Sequence, residues 1–158
     1  MRDNGSGRII NISSMGGKVY TPLGAWYHAT KYALEGWSDC LRLELKSFGI
    51  DVVIIEPGGI NTEFTDVFEE NFQGDADNGP YSKMMQVLSK STKEMSQKGQ
   101  LSDVSVITKL IDKAVHSKHP QTRYVAGAFA KPLMFIRKYG GDRIFDKVVM
   151  STVKMGNN

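Results

Sequence analysis

A phenol, an ammonium group and a hydroxyl stand at spacings that suit proton transfer. Tyr27 and Lys31 lie four residues apart, so on a helix they are neighbours on one face. A nearby ammonium charge favours the phenolate form of tyrosine, which makes Tyr27 a candidate general acid or base. Ser14 supplies a hydroxyl that can hydrogen-bond a substrate oxygen as negative charge develops on it. The three side chains therefore predict acid–base chemistry at a substrate oxygen.

Two strands and one helix are predicted to bring these side chains together. The β-rich run Arg8–Ser13 follows a turn signal, and Asp51–Glu56 is an apolar run typical of a parallel strand covered on both faces. Between them the sequence predicts a helix from about Gly24 to Phe48, with Gly49 as its stop. Ligands bind beyond the carboxyl ends of strands in an open parallel sheet. Ser14 and the start of the helix should meet at that edge.

Apolar residues of this helix recur at steps of three and four and predict an amphipathic stripe, which comprises Leu34, Trp37, Leu41, Leu45 and Phe48. Tyr27 and Lys31 continue the line of Leu34 and Leu41, so we expect the pair to face inward, into a cleft. His28 is about 100° away around the helix and is expected to be a bystander.

The remainder of the chain is predicted to hold a loop, further helices and one short strand. Glu69–Gly79 has loop composition. Helix-spaced residues follow it, namely Tyr81, Met84, Met85, Leu88 and Met95. The methionines either line an adaptable substrate pocket or belong to plain core. We expect Ser102 to cap a second helix, Arg123–Val125 to add a strand, and Phe129–Met150 to form helices that pack on the sheet.

Composition excludes several classes of function. The 158 residues carry 20 Lys and Arg against 17 Asp and Glu, scattered along the chain, so nucleic acid is not an expected partner. The single cysteine, Cys40, cannot form an internal disulfide; it is expected to be a buried small hydrophobe in a cytoplasmic protein. No apolar run approaches the roughly 20 residues of a membrane span. His116 and His119 lack companions at ligand spacing, so no metal site is predicted.

Three motifs together resemble one enzyme family. They are Asn11-Ile12-Ser13-Ser14, then Tyr27-His28-Ala29-Thr30-Lys31, then Pro57-Gly58-Gly59-Ile60-Asn61-Thr62. The interval of thirteen residues between Ser14 and Tyr27, and the place of each motif after a strand or on the helix, resemble the short-chain dehydrogenase/reductase family. The later segments Arg123–Gly127 and Arg143–Lys147 are similar to those of hydroxysteroid and retinol dehydrogenases.

The resemblance implies an activity and a role for each motif residue. It implies an NAD(P)-dependent oxidoreductase that interconverts an alcohol and a ketone or aldehyde, with NAD(H) or NADP(H) as cofactor. Ser14 would polarise the small-molecule substrate, Tyr27 would exchange the proton, and Lys31 would hold the nicotinamide ribose beside Tyr27. The residues implied to cradle the nicotinamide end are Pro57, Gly58, Ile60 and Thr62. The long helix would pair two subunits in a homo-oligomer.

The predicted fold class is α/β, the second half of a Rossmann-like doubly wound parallel sheet, with residues 1–158 as the carboxy-terminal part of a single NAD(P)-binding domain. The family's Gly-rich phosphate loop and Asn-Asn-Ala-Gly segment do not occur in this sequence. Because the family places both before the motifs seen here, we expect the chain to start near the middle of the family fold. We expect this chain alone to be poorly soluble, since an unpaired strand edge promotes aggregation. We also expect it to bind no dinucleotide, because the phosphate loop is missing from it. The alternative is a non-catalytic remnant or interaction subunit of such an enzyme.

Overall fold

The computed structural model describes residues 1–63 and 79–155. The predicted loop Glu69–Gly79 lies outside these residues except for Gly79. Within the described residues, three strands and four α-helices follow one another: β1 (Gly7–Ile12), α1 (Ala25–Leu45), β2 (Ile50–Pro57), α2 (Ser82–Gln97), α3 (Ser105–His116), β3 (Arg123–Ala126) and α4 (Ala130–Met155). Each predicted strand is present, within one or two residues of its expected bounds.

The strands form one parallel sheet in the order β1-β2-β3. The central strand β2 is buried on both faces, as its unbroken apolar run predicts. On one face Val53 and Ile55 pack with Ile107 and Ala114 of α3 and with Tyr124 of β3. Alternate residues of a strand point to opposite faces, so Ile54 and Glu56 face the side covered by α1. The α/β class and the parallel sheet are therefore as predicted.

Helix α1 ends where the sequence indicates. A 3-10 turn, Lys46–Phe48, follows the helix, and Gly49 adopts a left-handed conformation with φ 66°. The Gly49 N–H donates to the Lys46 carbonyl oxygen, and a Cβ at Gly49 would collide with the carbonyl group of Gly5. Glycine is required there by both conformation and space.

The buried face of α1 differs from the predicted apolar stripe. Its buried residues are His28, Glu35 and Ser38, whereas Trp37 is 56% exposed and Phe48 is 42% exposed. The reason is that the sheet side of the helix makes polar contacts. Ser38 Oγ, for example, accepts a hydrogen bond of 2.9 Å from Asn11 Nδ2. The bulkiest stripe residues are left on the outer side.

Two further predictions are wrong. Helix α3 is capped by the Asp103 carboxylate, which accepts from the Ser105 N–H at 2.8 Å, and not by Ser102. The Ser102 backbone instead pairs with the loop after β2, donating to the Gly59 carbonyl and accepting from Asn61 N–H. Cys40 is exposed and not buried, because it lies on the outer side of α1.

The carboxy-terminal helix α4 is interrupted rather than straight. Gly141 has φ 70° and ψ −176°, so two helical segments meet there at a kink. Helix α4 contacts α2 and β3. In the described part of the chain, no helix combines the length and apolar character that crossing a membrane requires.

Candidate active site

A cavity of about 800 Å³ opens at the carboxyl ends of β1 and β2. Six of the seven residues singled out in the motifs line it, namely Ser14, Tyr27, Pro57, Gly58, Ile60 and Thr62. Lys31 is not among the described lining residues. The far wall is formed by helices α2 and α4, through side chains such as Met85, Leu88 and Phe145. Residues from distant parts of the sequence therefore meet where parallel sheets bind ligands.

Ser14 joins the ends of the two strands. It caps the 3-10 turn Met15–Gly17, and its Oγ accepts from the Gly16 N–H at 3.0 Å. The same hydroxyl lies 3.5 Å from the Pro57 carbonyl oxygen, to which it donates. This second bond is long, so the hydroxyl hydrogen can turn to a better acceptor in the cavity at little cost.

Tyr27 and Lys31 lie on the first two turns of α1. Lys31 Nζ is 5.9 Å from the centroid of the Tyr27 ring and donates to the Ile12 carbonyl oxygen at 3.2 Å. That carbonyl belongs to the last residue of β1, so the ammonium group connects the helix to the strand end before Ser14. The arrangement holds a positive charge beside the phenol, as the spacing predicts.

His28 is a structural part of the site and not a bystander. The residue is 9% exposed, and its Nε2 lies 3.0 Å from the Thr21 backbone nitrogen, while Nδ1 lies 2.9 Å from the Gly16 carbonyl oxygen. Since the Thr21 N–H can only donate, Nε2 accepts, and Nδ1 carries the hydrogen that Gly16 receives. The ring thus fixes the turn after Ser14 against α1.

Gly16 allows this turn to approach Tyr27 closely. A Cβ at Gly16 would stand 2.8 Å from Tyr27 Cε1 and 3.3 Å from Ser14 Oγ. Any larger residue would push the phenol ring and the serine apart. The signal available in the sequence was the Gly16-Gly17 pair directly after the serines.

The loop after β2 is held by backbone hydrogen bonds from two later segments. Gly58 N–H donates to the Ala126 carbonyl at 2.7 Å, and Gly59 N–H donates to the Ala128 carbonyl at 2.8 Å. A Cβ at Gly58 would lie 2.5 Å from the Ala128 carbonyl oxygen. The position of the loop in the cavity is therefore set by β3 and by the turn that follows it.

Of the methionines that the sequence leaves open, Met85 lines the cavity, together with Leu88 and Thr92 of α2. Met84 and Met95 are half-buried and are not among the described lining residues. One of the α2 side chains in the cavity wall is therefore a flexible, polarisable thioether.

The lining fits an uncharged ring better than a phosphate. It is mostly apolar, and its polar groups near the strand ends are the hydroxyls of Ser13, Ser14, Tyr27 and Thr62. Among the described lining residues there is no Lys or Arg. Apolar walls with a few oriented polar groups are typical of sites for small organic ligands. The nicotinamide end of a dinucleotide suits this donor set.

Two buried carboxyl groups behind the cavity are not predicted from the sequence. Glu56, in the apolar run of β2, is 1% exposed, and Glu35 of α1 is 3% exposed. Burial, followed by the charge of Glu35, raises the pKa of Glu56 to about 7. The signal in the sequence was a charged residue directly after the apolar run Val52–Ile55.

Comparison with known proteins identifies relatives of this chain. The family model described as short chain dehydrogenase matches residues 1–73. The chain is 33% identical over 153 residues to the uncharacterized oxidoreductase YbbO of Escherichia coli K12, covering 94% of this chain and 50% of that protein. It is 34% identical over 152 residues to human retinol dehydrogenase 16, covering 90% and 47%.

Solved structures show the same fold. A short-chain dehydrogenase from Streptomyces avermitilis superposes with a TM-score of 0.64 at 27% identity, covering 100% of this chain and 55% of that one. The closed form of serine dehydrogenase complexed with NADP+ gives a TM-score of 0.64 at 23% identity over 83% of this chain and 48% of that one. Parallel sheet, flanking helices and these neighbours define a Rossmann-like α/β protein. The chain belongs to the short-chain dehydrogenase/reductase family, and it spans about half the length of the curated relatives it matches.

Proposed function

We propose that the protein is an NAD(P)-dependent oxidoreductase that interconverts an alcohol and a ketone or aldehyde. One observation carries the proposal: Ser14 and Tyr27 line a single cavity with the Pro57–Thr62 loop, while Lys31 Nζ lies 5.9 Å from the Tyr27 ring centroid. These groups come from two strand ends and one helix. Together they provide a proton-exchanging phenol, a hydroxyl for the substrate oxygen and a wall for a flat ring.

Each side chain has a defined task in this reaction. For oxidation of an alcohol, Tyr27 takes the hydroxyl proton as the carbon–hydrogen bond breaks, and for reduction it returns that proton to the oxygen. Ser14 turns its hydroxyl hydrogen from the Pro57 carbonyl to the substrate oxygen and stabilises the charge that develops there. Bound NAD(H) or NADP(H) accepts or supplies the hydride.

The same proposal assigns the cofactor's position. Pro57, Gly58, Ile60 and Thr62 hold the nicotinamide end, and Lys31 and Tyr27 hold its ribose. Residues 1–158 would be the catalytic and substrate-binding part of a single NAD(P)-binding domain. The substrate is a small molecule that binds in the cavity against the wall formed by α2 and α4. A cytoplasmic location and pairing through the long helix remain predictions from the sequence.

Replacing Tyr27 by phenylalanine tests the chemistry. In the whole protein, Tyr27→Phe should lower turnover by about 10²- to 10⁴-fold, since the phenolic hydroxyl that moves the proton is lost and the ring is kept. Turnover of a panel of alcohols and carbonyl compounds is followed by nicotinamide absorbance. Tyr32→Phe, an exposed tyrosine on the same helix, is the matched control and should leave the rate unchanged.

Near-normal turnover in Tyr27→Phe would remove Tyr27 from the reaction. If the unaltered protein neither turns over any panel compound nor binds NAD(H) or NADP(H), the alternative of a non-catalytic remnant or interaction subunit is favoured instead.

A further inference from the structure

A cluster of charged side chains lies between α1 and the ends of β2 and β3, behind the cavity. Arg123 Nη2 contacts Asp39 at 2.7 Å and Glu35 at 3.1 Å. Lys18 Nζ contacts the same Glu35 oxygen, Oε2, at 3.0 Å. Glu56 lies beneath them and is 1% exposed. Arg42 Nη2 donates to the other oxygen of Asp39 at 3.1 Å. The cluster therefore holds three carboxyl groups and three cations.

Of these three carboxyl groups, Glu56 has the fewest hydrogen-bond partners. Among the described residues, its one cationic partner within 4 Å is Arg123, whose Nε lies 3.4 Å away, and that N–H donates to Glu35 instead, at 3.1 Å. Lys18 acts on Glu56 from farther away. Both oxygens of Glu56, and Oε1 of Glu35, have no hydrogen-bond partner among the described residues. A buried carboxylate without hydrogen bonds is strongly destabilised.

A single proton resolves this arrangement. The carboxyl groups of Glu35 and Glu56 lie against the same nitrogen, Arg123 Nε, at 3.1 and 3.4 Å, and both are buried. Two ionised carboxylates repel, but one proton turns them into a donor and an acceptor. With that proton in place, Glu56 carries no charge in its buried position, while Glu35 and Asp39 remain ionised beside Lys18, Arg123 and Arg42. The raised pKa of Glu56, caused first by burial and then by Glu35, agrees with this reading of the geometry.

The two carboxyl groups belong to elements that carry the candidate site. Glu56 directly precedes Pro57, whose carbonyl oxygen accepts from Ser14. Glu35 lies one helical turn beyond Lys31 on α1. A Cβ at Gly17 would stand 2.8 Å from Glu35 Cγ, so the turn after Ser14 also packs against this side chain. A change in spacing between the two carboxyl groups would therefore move the loop relative to the helix.

We propose that Glu35 and Glu56 share one proton in the folded protein, and that this hydrogen bond clamps the end of β2 to α1. Glu56 is thus a positioning residue that acts through Pro57 and Lys31. Loss of the proton places two negative charges side by side and opens the clamp. The shared proton is independent of the proposed oxidoreductase function, whereas its effect on turnover rests on that function.

Infrared spectroscopy of the purified protein tests the shared proton. The carbonyl stretch of a protonated carboxyl should persist to near neutral pH and disappear with a midpoint near 7, whereas ordinary glutamates titrate at about 4.3. The band should be absent in Glu56→Gln. It should keep its midpoint in the matched control Glu44→Gln, because Glu44 is an exposed glutamate on α1, the helix that carries Glu35. Glu35→Gln should move the midpoint down, because the neighbouring negative charge is gone.

A spectrum in which no carboxyl band survives above about pH 5.5 would overturn the shared proton, since ordinary carboxyl groups are ionised there. A band that remains unchanged in both Glu56→Gln and Glu35→Gln would overturn it equally. If Glu56→Gln does not fold, the shift of the midpoint in Glu35→Gln decides.

The positioning role is tested by the pH profile of kcat/KM in the whole protein. At about pH 6 Glu56→Gln should match the unaltered protein, because an amide resembles a neutral carboxyl group in size and hydrogen bonding. At about pH 8.5 the Gln variant should be faster by about three- to tenfold, the effect of one hydrogen bond. Parallel profiles for the two proteins would overturn the positioning role. Absence of turnover in both, with the infrared band present, would defeat the proposed function and leave the proton pair standing.

Discussion

At the scale of single residues, the hydroxyl and ammonium groups of the site are already bonded to the protein's own backbone. Ser14 donates to the Pro57 carbonyl, and Lys31 donates to the Ile12 carbonyl. These bonds are 3.5 and 3.2 Å long, so both groups can be redirected toward a ligand without breaking a short hydrogen bond. Preorganisation of this kind reduces the cost of ordering the side chains when a ligand binds.

Thr62 provides a test of the cofactor side of the cavity. Thr62→Ala should raise the apparent dissociation constant of the cofactor more than that of the substrate, because its hydroxyl lines the predicted nicotinamide side. Loss of one hydrogen bond corresponds to about 0.5–1.5 kcal/mol. Each ligand is titrated separately by fluorescence, with Thr122→Ala, an exposed threonine just before β3, as the control. A change confined to the substrate would place Thr62 outside the cofactor site.

Glu56 makes the stability of the fold depend on pH in a direction opposite to that of most carboxyl groups. Its pKa rises from 4.5 to about 7 in the folded protein, chiefly through burial, so the folded state binds more protons than the unfolded state between these values. The free energy of unfolding should therefore fall by at most about 3 kcal/mol as pH rises from 4.5 to about 7. Above that pH this contribution should stay level.

Denaturant unfolding of Glu56→Gln beside the unaltered protein isolates this contribution. The hydrogen bond from Arg123 lowers the pKa of Asp39, so that residue adds stability at higher pH in both proteins and cancels in the difference. A difference between the two proteins that does not change from pH 4.5 to 7 would contradict the raised pKa of Glu56.

At the scale of elements, the position of the loop after β2 is set by β3. The parallel pairing of β2 with β3 ends at Pro57 and Ala126. Beyond it Gly58 donates to the Ala126 carbonyl, and Gly59 forms an antiparallel bridge with Ala128. A loop that is bonded to the end of a strand can hold a ligand more rigidly than one free in solvent. The strand that follows α3 therefore shapes the site although it contributes none of the motif residues.

Alanine substitutions at Gly58 and Gly59 should distinguish a position where a Cβ would collide with backbone from one where it would only touch a side chain. In Gly58→Ala the new Cβ would stand 2.5 Å from the Ala128 carbonyl oxygen, so the β2–β3 pairing must open and stability should fall by about 1–3 kcal/mol. In Gly59→Ala the nearest atom is the end of the Leu101 side chain at 3.0 Å, which can turn away. Thermal unfolding of both variants is the measurement. Equal losses, or a larger loss for Gly59→Ala, would contradict this account of the loop.

At the scale of the whole molecule, the outer side of α1 is more apolar than its inner side. Trp37 is 56% exposed and Leu43 is 66% exposed, while the sheet side carries the buried Glu35 and Ser38. In the described residues β1 also pairs with a strand on one edge only, that of β2. Two surfaces of the chain thus expose groups that commonly pack against further polypeptide.

Trp37 tests the predicted homo-oligomer. If two copies pair through α1, Trp37→Ala should raise the dissociation constant by about 30-fold or more, since a buried tryptophan at the centre of an interface contributes about 2 kcal/mol or more. Sedimentation velocity over a range of protein concentrations measures the equilibrium. Tyr139→Ala, a comparably exposed aromatic residue on α4, is the control and should leave it unchanged. A purely monomeric unaltered protein would refute pairing through α1.

What the sequence determined by itself is local and periodic. An unbroken apolar run is enough to place β2 in the middle of a parallel sheet, and the glycine at position 49 is enough to end α1. Ser14 and Tyr27 could be selected because their residue types and interval are meaningful before any folding. Only the tertiary structure decided which side of α1 is buried, because polar bonds from Ser38 and Glu35 to the sheet outweigh the apolar stripe. It alone made His28 a support of the Ser14 turn and Glu56 a buried acid, since burial and charge neighbours arise when segments distant in sequence pack together.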